Sequence, residues 1–268
     1  MSKGYVDTPG FGQIHYITAG AGDDLLLIHQ APLSSAEFGE ILPQLAAKRR
    51  VWALDLPGHG MSDDPPRELE IADYARAVAQ VLEALGVRRF AVYGHNLGST
   101  IAIELAAAYP EWVTRLMVSG SSHPGLPPPP RLKKLLGKPL TRELPLERDG
   151  GAIYETWRRY LDMCLPEDTP QTVFKPFVIG LAARSRPFDA HACAFRYQKA
   201  QRLPLVGCPV LLLEGSADFY VDQLEEYAKL FKVCRTKVIP GAGPQLTFEQ
   251  PQALAAALLE FLENPLKT

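Results

Sequence analysis

The sequence lacks several features that mark whole classes of proteins. No apolar run approaches the ~20 residues that span a membrane. The 28 lysines and arginines nearly balance the 30 acidic residues, and a formal charge of −2 is too small to attract nucleic acid or an acidic membrane. Residues 1–13 show neither the basic leader nor the apolar run of a signal peptide. We therefore expect a cytoplasmic protein that binds neither nucleic acid nor membranes.

Cysteine is also scarce. The four cysteines, Cys164, Cys193, Cys208 and Cys234, are scattered, with no CxxC pair and no histidine at metal-ligand spacing. This pattern predicts neither a zinc site nor disulfides, and we expect the cysteines to fill the core. We expect no metal and no cofactor.

The sequence does contain short apolar segments, and they alternate with amphipathic helical segments. Segments typical of buried parallel strands lie at residues 25–28, 51–54, 90–93, 116–118, 210–213 and 236–239. A helical pattern over 71–85 ends at Gly86, and a last one carries Leu254, Leu258 and Phe261 on one stripe. This alternation predicts an α/β protein with a mostly parallel sheet covered by helices.

Residues 122–205 interrupt the alternation. A proline-rich stretch at 126–130 comes first, and helical patterns follow near 154–163, 172–183 and 190–201. We expect a helical cap over 122–205 on a core domain formed by 1–121 and 206–268. The cap carries an aromatic set suited to an apolar pocket: Tyr154, Trp157, Tyr160, Phe174, Phe177, Phe188, Phe195 and Tyr197.

Four short motifs follow predicted strands. Residues 94–98 read GHNLG, the frame of the G-x-S-x-G nucleophile elbow, between a predicted strand and a predicted helix. Residues 55–63 read DLPGHGMSD, residues 215–218 read GSAD, and residues 29–32 read HQAP.

These motifs resemble those of the α/β-hydrolase superfamily, particularly its small esterases, lactonases and C–C hydrolases, over nearly the whole chain. The resemblance implies an α/β-hydrolase fold: an eight-stranded, mostly parallel sheet flanked by helices, with an inserted helical cap. It also implies that the backbone N–H groups of Ala31 and Leu97 form an oxyanion hole. Gln30 stands where the family usually has glycine, which can change the loop that carries Ala31.

The sequence departs from the family at two catalytic positions. Asn96 occupies the position of the nucleophilic serine, and residues 243–251 read GPQLTFEQP, so Pro244 replaces the catalytic histidine. A carboxamide is a poor nucleophile and proline is neither an acid nor a base, so the usual acyl transfer cannot occur. No histidine follows His191, and we expect that no imidazole reaches residue 96.

The remaining candidates for proton transfer are Asp218, which occupies the position of the family's catalytic acid, and His123, which follows the predicted sixth strand. Each has a plainer alternative: a hydrogen-bonded turn carboxylate for Asp218 and a solvated loop residue for His123. Asn96 is a further candidate, as an added N–H donor to a bound anion. The residues expected to bind a ligand are His29, Gln30, Tyr154, Trp157, Phe177, Tyr197, Pro244 and Gln245.

Three hypotheses of function follow. The first is a non-hydrolytic enzyme (isomerase, cyclase or lyase) that acts on a small apolar carbonyl compound through the oxyanion hole without an acyl-enzyme. The second is an inactive ligand-binding or regulatory protein with the hydrolase fold. The third is a hydrolase with a non-standard base. A fourth explanation is that the nucleophilic serine was replaced on purpose, which would explain Asn96 but not Pro244. The sequence does not predict an oligomeric state.

Overall fold

A computed structural model describes residues 1–132, 148–165, 168–184, 190–264 and 266. These residues form one sheet of eight strands in the order β1-β2-β4-β3-β5-β6-β7-β8. The strands are β1 (Ser2–Thr8), β2 (Gly12–Ala19), β3 (Asp24–Ile28), β4 (Arg50–Leu54), β5 (Phe90–His95), β6 (Val113–Ser119), β7 (Val210–Gly215) and β8 (Cys234–Ile239). Strands β3 to β8 pair in parallel and β2 pairs antiparallel with both β1 and β4. The predicted mostly parallel eight-stranded sheet is confirmed.

Strands β3, β5 and β7 are almost entirely buried because apolar residues cover both of their faces, whereas the edge strand β8 is partly exposed. In β3, Leu26 and Ile28 pack into one hydrophobic cluster, whereas Leu25 and Leu27 pack into another. Side chains alternate between the two faces of a strand, so helices must cover both sides of the sheet. The pattern did not identify β1 or β2, because β1 is largely exposed and carries few apolar residues.

Ten α-helices have both ends within the described ranges: α1 (Leu42–Ala46), α2 (Ile71–Ala84), α3 (Leu97–Ala108), α4 (Gly151–Met163), α5 (Pro170–Arg184), α6 (His191–Arg196), α7 (Lys199–Arg202), α8 (Leu224–Ala228), α9 (Leu246–Glu249) and α10 (Pro251–Glu263). Helices α2 and α3 contribute to the cluster on one face of the sheet, and α1 and α10 contribute to the cluster on the other. A cavity separates the carboxyl ends of the parallel strands from helices α4, α6 and α7.

Helices α4 to α7 all lie between β6 and β7 in the chain. A small hydrophobic cluster of Tyr160, Cys164, Val173 and Phe177 joins α4 to α5. Cys193 is also buried, and all four cysteines are unpaired. Among the described helices, none is both long enough and apolar enough to cross a bilayer.

Candidate functional site

The turn between β5 and α3 places the side chain of Asn96 at the carboxyl edge of the sheet. Asn96 has φ 49° and ψ −110°, and among the described residues no other non-glycine residue has a positive φ. Two glycines permit the close approach: a Cβ on Gly94 would collide with the Gly98 carbonyl, and one on Gly98 with the Ile28 carbonyl. The close packing holds residue 96 in a strained conformation.

A cavity of about 230 Å³ opens beside this turn. Its walls come from the carboxyl ends of the strands and from α4, α6 and α7, and apolar atoms predominate. Ala31, Leu97 and Asn96 all line it. Leu97 is the first residue of α3, so its N–H has no intrahelical acceptor and lies at the positive end of the helix dipole. The two expected oxyanion donors therefore lie on one cavity wall.

Asn96 belongs to a chain of three carboxamides. Its Nδ2 donates to Gln30 Oε1 over 2.9 Å and lies 3.2 Å from His95 Nε2, while Gln30 Nε2 donates to Gln245 Oε1 over 3.3 Å. Both Nδ2 protons are therefore used within the protein. Gln30, which stands where the family has glycine, supplies an acceptor to that amide, and the role of Asn96 as an N–H donor to a ligand stays a prediction.

His95 lies behind Asn96 and contacts a buried carboxylate. Its Nδ1 is 2.6 Å from Glu37 Oε1, and neither side chain is exposed by more than 1%. Glu37 also accepts hydrogen bonds from the Gln30 backbone N–H at 2.9 Å and from Thr247 Oγ1 at 3.1 Å. A proton on Nδ1 that bonds Glu37 leaves Nε2 as an acceptor for the Asn96 amide.

The expectation that no imidazole reaches residue 96 is therefore wrong. The ring belongs to the adjacent residue His95, and the order carboxylate, imidazole, residue 96 has the form of a catalytic triad. It lacks a hydroxyl to deprotonate, since residue 96 presents an amide N–H to Nε2. An imidazole therefore lies beside residue 96, and the difference from a serine-based triad at this point is Asn96 itself.

Known proteins share this architecture. A family model described as the alpha/beta hydrolase fold matches residues 24–142. A thermophilic esterase from Thermogutta terrifontis superposes with a TM-score of 0.79 at 23% identity, covering 98% of each chain. The chain is an α/β-hydrolase-fold protein.

Two further relatives carry other activities in their names. A soluble epoxide hydrolase of Corynebacterium sp. is 34% identical over 106 residues, which are 40% of this chain and 37% of the relative. The solved structure of a variant N-acyl homoserine lactonase, complexed with N-hexanoyl homoserine, has a TM-score of 0.75 at 25% identity, covering 100% of this chain and 98% of the other. The aligned segments span less than half the length of the curated relatives.

In this α/β-hydrolase-fold protein, Asp218 is buried and pairs with a second acid. Its Oδ1 accepts the Tyr220 N–H at 2.9 Å. Burial raises the pKa of Asp218, and burial together with Asp218 raises the pKa of Glu214 well above its usual range. Glu214 accepts the N–H groups of Gly120 and Ser121. Asp218 is absent from the described cavity lining, although Tyr220 belongs to it. Its role as proton acceptor stays a prediction.

His123 lies apart from Asn96. It lines an adjoining cavity of about 330 Å³ and not the one beside the elbow. Its Nδ1 accepts the Gly125 N–H at 3.0 Å, and its ring packs edge-on against Tyr227. The structure therefore does not bring His123 together with the predicted oxyanion donors.

The predicted ligand-binding aromatics of the cap are not on the cavity wall. Tyr154 is 56% exposed on the outer face of α4. Trp157 and Phe177 pack edge to face, with ring centroids 5.2 Å apart, between α4 and α5. Helical spacing identified these residues as cap aromatics, but it does not tell which face of a cap helix meets the core. Phe188 lies outside the described residues.

Two other predicted ligand-binding residues have internal partners. Tyr197 donates its hydroxyl to Glu104 over 2.6 Å and lines only the adjoining cavity. His29 is fully buried, and its Nε2 accepts the Leu56 N–H at 3.0 Å. Neither side chain lines the elbow cavity. Gln30, Pro244 and Gln245 do line that cavity.

Several lining residues were not among the expected ligand-binding residues. Tyr160 and Phe195, both members of the aromatic set, line the cavity, as do Tyr220 and His191. Lys199 also lines the cavity and brings an amine to it, and this residue is only 8% exposed. Residues 197–202 read YQKAQR, a polar run typical of a solvated helix face, so the sequence carries no signal for a buried amine.

Proposed function

We propose that this protein is a non-hydrolytic enzyme, of isomerase, cyclase or lyase type, that acts on a small, largely apolar carbonyl compound. One observation carries the proposal. The predicted oxyanion donors Ala31 and Leu97 line an apolar cavity together with Asn96 and Pro244, which replace the nucleophile and the base. Such a site stabilises negative charge on a carbonyl oxygen and forms no acyl-enzyme.

The chemistry that suits this site passes through an enolate. The two N–H groups donate to the carbonyl oxygen while a proton leaves the adjacent carbon, and the apolar walls strengthen these bonds because they exclude water. Asp218 lies behind the cavity wall, next to the lining residue Tyr220, and is the candidate proton acceptor because burial raises its pKa and makes its carboxylate more basic. Enolate formation is common to isomerisation, retro-aldol cleavage and related steps, so it can be tested without the natural substrate.

Ester hydrolysis is the first reaction to exclude, because the relatives named above are hydrolases. We expect no turnover of p-nitrophenyl acetate or octanoate by the natural protein and no acyl adduct in its intact mass. Asn96→Ser tests whether His95 can serve as a base, and Asn96→Ser/Pro244→His restores both family positions. Turnover by the natural protein that Asn96→Ala abolishes would refute the proposal.

A second candidate function is ligand binding without catalysis. It is favoured by the internal hydrogen bonds of Asn96 and Gln30, which leave no reactive side chain at the elbow. Deuterium uptake distinguishes the two. Proton NMR of cyclohexanone and 2-octanone in heavy water follows exchange at the carbon beside the carbonyl. Catalysed exchange, reduced at least tenfold by Asp218→Asn, supports the enzyme, and line broadening without exchange supports the binding protein.

A further inference from the structure

The side chain of Lys199 presents an amine at the wall of both cavities. Its Nζ donates to the Ser122 carbonyl at 3.0 Å and lies 3.3 Å from Ser121 Oγ and 3.5 Å from Ser122 Oγ. These partners are neutral oxygens. In contrast, the exposed lysines Lys175 and Lys229 each pair with a glutamate carboxylate. The described structure therefore gives Lys199 no hydrogen-bonded counter-charge.

The charged form of this amine has little support from its surroundings. Burial lowers the pKa of Lys199 to about 8, and the charge of Glu214 opposes that shift only in part. Burial and the neighbouring Asp218 raise the pKa of Glu214 well above its usual range, which weakens this opposing charge. The Lys199 amine lies 5.6 Å from the centre of the Tyr227 ring, whose phenol stays neutral because burial raises its pKa.

Other titratable groups share the two cavities with Lys199. They are Arg159 and Tyr160 of α4, His191 of α6, Tyr197 after α6, His123 after β6 and Tyr220 after β7. None of these side chains is a carboxylate, so this set does not supply an anion that would keep Lys199 protonated. A neutral amine in an apolar cavity is a nucleophile toward carbonyl carbon.

We propose that Lys199 forms an imine with an aldehyde or ketone held in the cavity beside the elbow. The amine lone pair forms a C–N bond while the C=O π pair moves to oxygen, and a proton passes from nitrogen to that oxygen. The carbinolamine then loses water and leaves C=N; addition of water reverses the reaction, so no oxidant or reductant is needed. This inference rests on the proposed function, since both require a carbonyl compound in one cavity.

Reductive trapping tests the imine. The intact protein is treated at pH 8 with hexanal and sodium cyanoborohydride, and peptide mass spectrometry measures the N-hexyl group on each lysine. We expect Lys199 to react at least tenfold faster than Lys229 in the folded protein and at the same rate as Lys229 in urea. Equal rates in the folded protein, or no adduct on Lys199, would overturn the proposal.

Matched variants separate a reactive amine from a structural one. Lys199→Arg keeps the donors and charge but cannot form this imine, and Lys199→Met keeps the length of the chain. Both variants should lose the fast adduct while retaining the circular dichroism of the natural protein. Lys229→Met should leave Lys199 labelling unchanged. If Lys199→Arg keeps an equally fast adduct elsewhere in the cavity, the assignment to Lys199 fails.

The pH dependence supplies a second measurement. Labelling of Lys199 should reach half its maximal rate near pH 8, well below the ~10.4 of an ordinary lysine side chain. A Lys199 profile that matches Lys229 contradicts the inference. If deuterium exchange is catalysed but no Lys199 adduct is trapped, the imine is refuted and the proposed enzyme is not. If an adduct is trapped but exchange is not catalysed, the proposed enzyme is refuted and the imine is not.

Discussion

Two buried groups of polar side chains near the elbow differ in how they are partnered. On the Glu37 side, Glu37 accepts from His95, Thr247 and both nitrogens of Gln30. On the Glu214 side, Glu214 and Asp218 are two buried acids in contact with each other. The first group surrounds one carboxylate with several donors, whereas the second brings two acids together. We therefore expect the Glu37 side to contribute more to the stability of the fold, and proton exchange by the Glu214 side stays a prediction.

A third acid extends this difference. Glu249 accepts the Gly243 N–H at 2.6 Å beside the Pro244 loop, and its neighbour Asp168 belongs to the segment between α4 and α5. Burial raises the pKa of Glu249 to about 8, and the charges of Asp168 and Asp218 add to the shift. The loop that carries Pro244 is therefore held by a carboxyl group whose pKa lies well above its usual range.

The largest effect is expected from Glu37→Ala. This change leaves the His95 and Gln30 donors buried without their acceptor, and loss of one partner of a buried pair typically costs about 3–5 kcal/mol. Urea denaturation should therefore show a free energy of unfolding lower by that amount. The matched control is Glu40→Ala, an exposed carboxylate that pairs with Lys175; it should change the free energy by less than about 1 kcal/mol. Equal losses in the two variants would show that the Glu37 side carries no special stability.

The second prediction concerns the pH dependence of stability, and here the variant is expected to be more stable than the natural protein. Because the folded-state pKa of Glu249 is raised, its contribution is complete below the unfolded value of 4.5 and is lost as pH rises to about 8. One coupled proton changes the free energy of unfolding by up to about 1.4 kcal/mol per pH unit. Glu249→Gln keeps an acceptor for Gly243 and removes the ionisation. Compared with the natural protein, the variant should therefore gain more stability at pH 8 than at pH 5.

Thermal unfolding between pH 5 and pH 9 measures this difference. The natural protein should lose stability over the interval, and Glu249→Gln should lose less. Glu83→Gln, an exposed carboxylate paired with Arg88, is the control and should follow the natural curve. A Glu249→Gln curve parallel to the natural one would contradict the assigned proton.

The sequence predicted the fold more completely than the site. Apolar runs identify buried strands because both faces of β3 and β5 are covered, and motif glycines locate the turn at Asn96. Partners were harder to predict. Gln30 and Glu37 reach Asn96 and His95 only because the chain folds β3 against β5. The separation of these residues along the sequence does not indicate that pairing. Lys199 was missed for a similar reason: a lysine in a polar run looks exposed unless the packing of α7 is known.

The smallest effect concerns the backbone of residue 96. Asn96→Ala and Asn96→Gly both remove the two amide contacts, but only alanine keeps a Cβ at φ 49°. A side chain in this region costs about 1–3 kcal/mol, and glycine loses about 0.5–1 kcal/mol of chain entropy, so the glycine variant should be more stable by about 1 kcal/mol in urea denaturation. Equal stability would mean that the turn relaxes once the amide is gone. A more stable glycine variant would show instead that the close packing of Gly94 and Gly98 preserves the strained turn after the amide is removed.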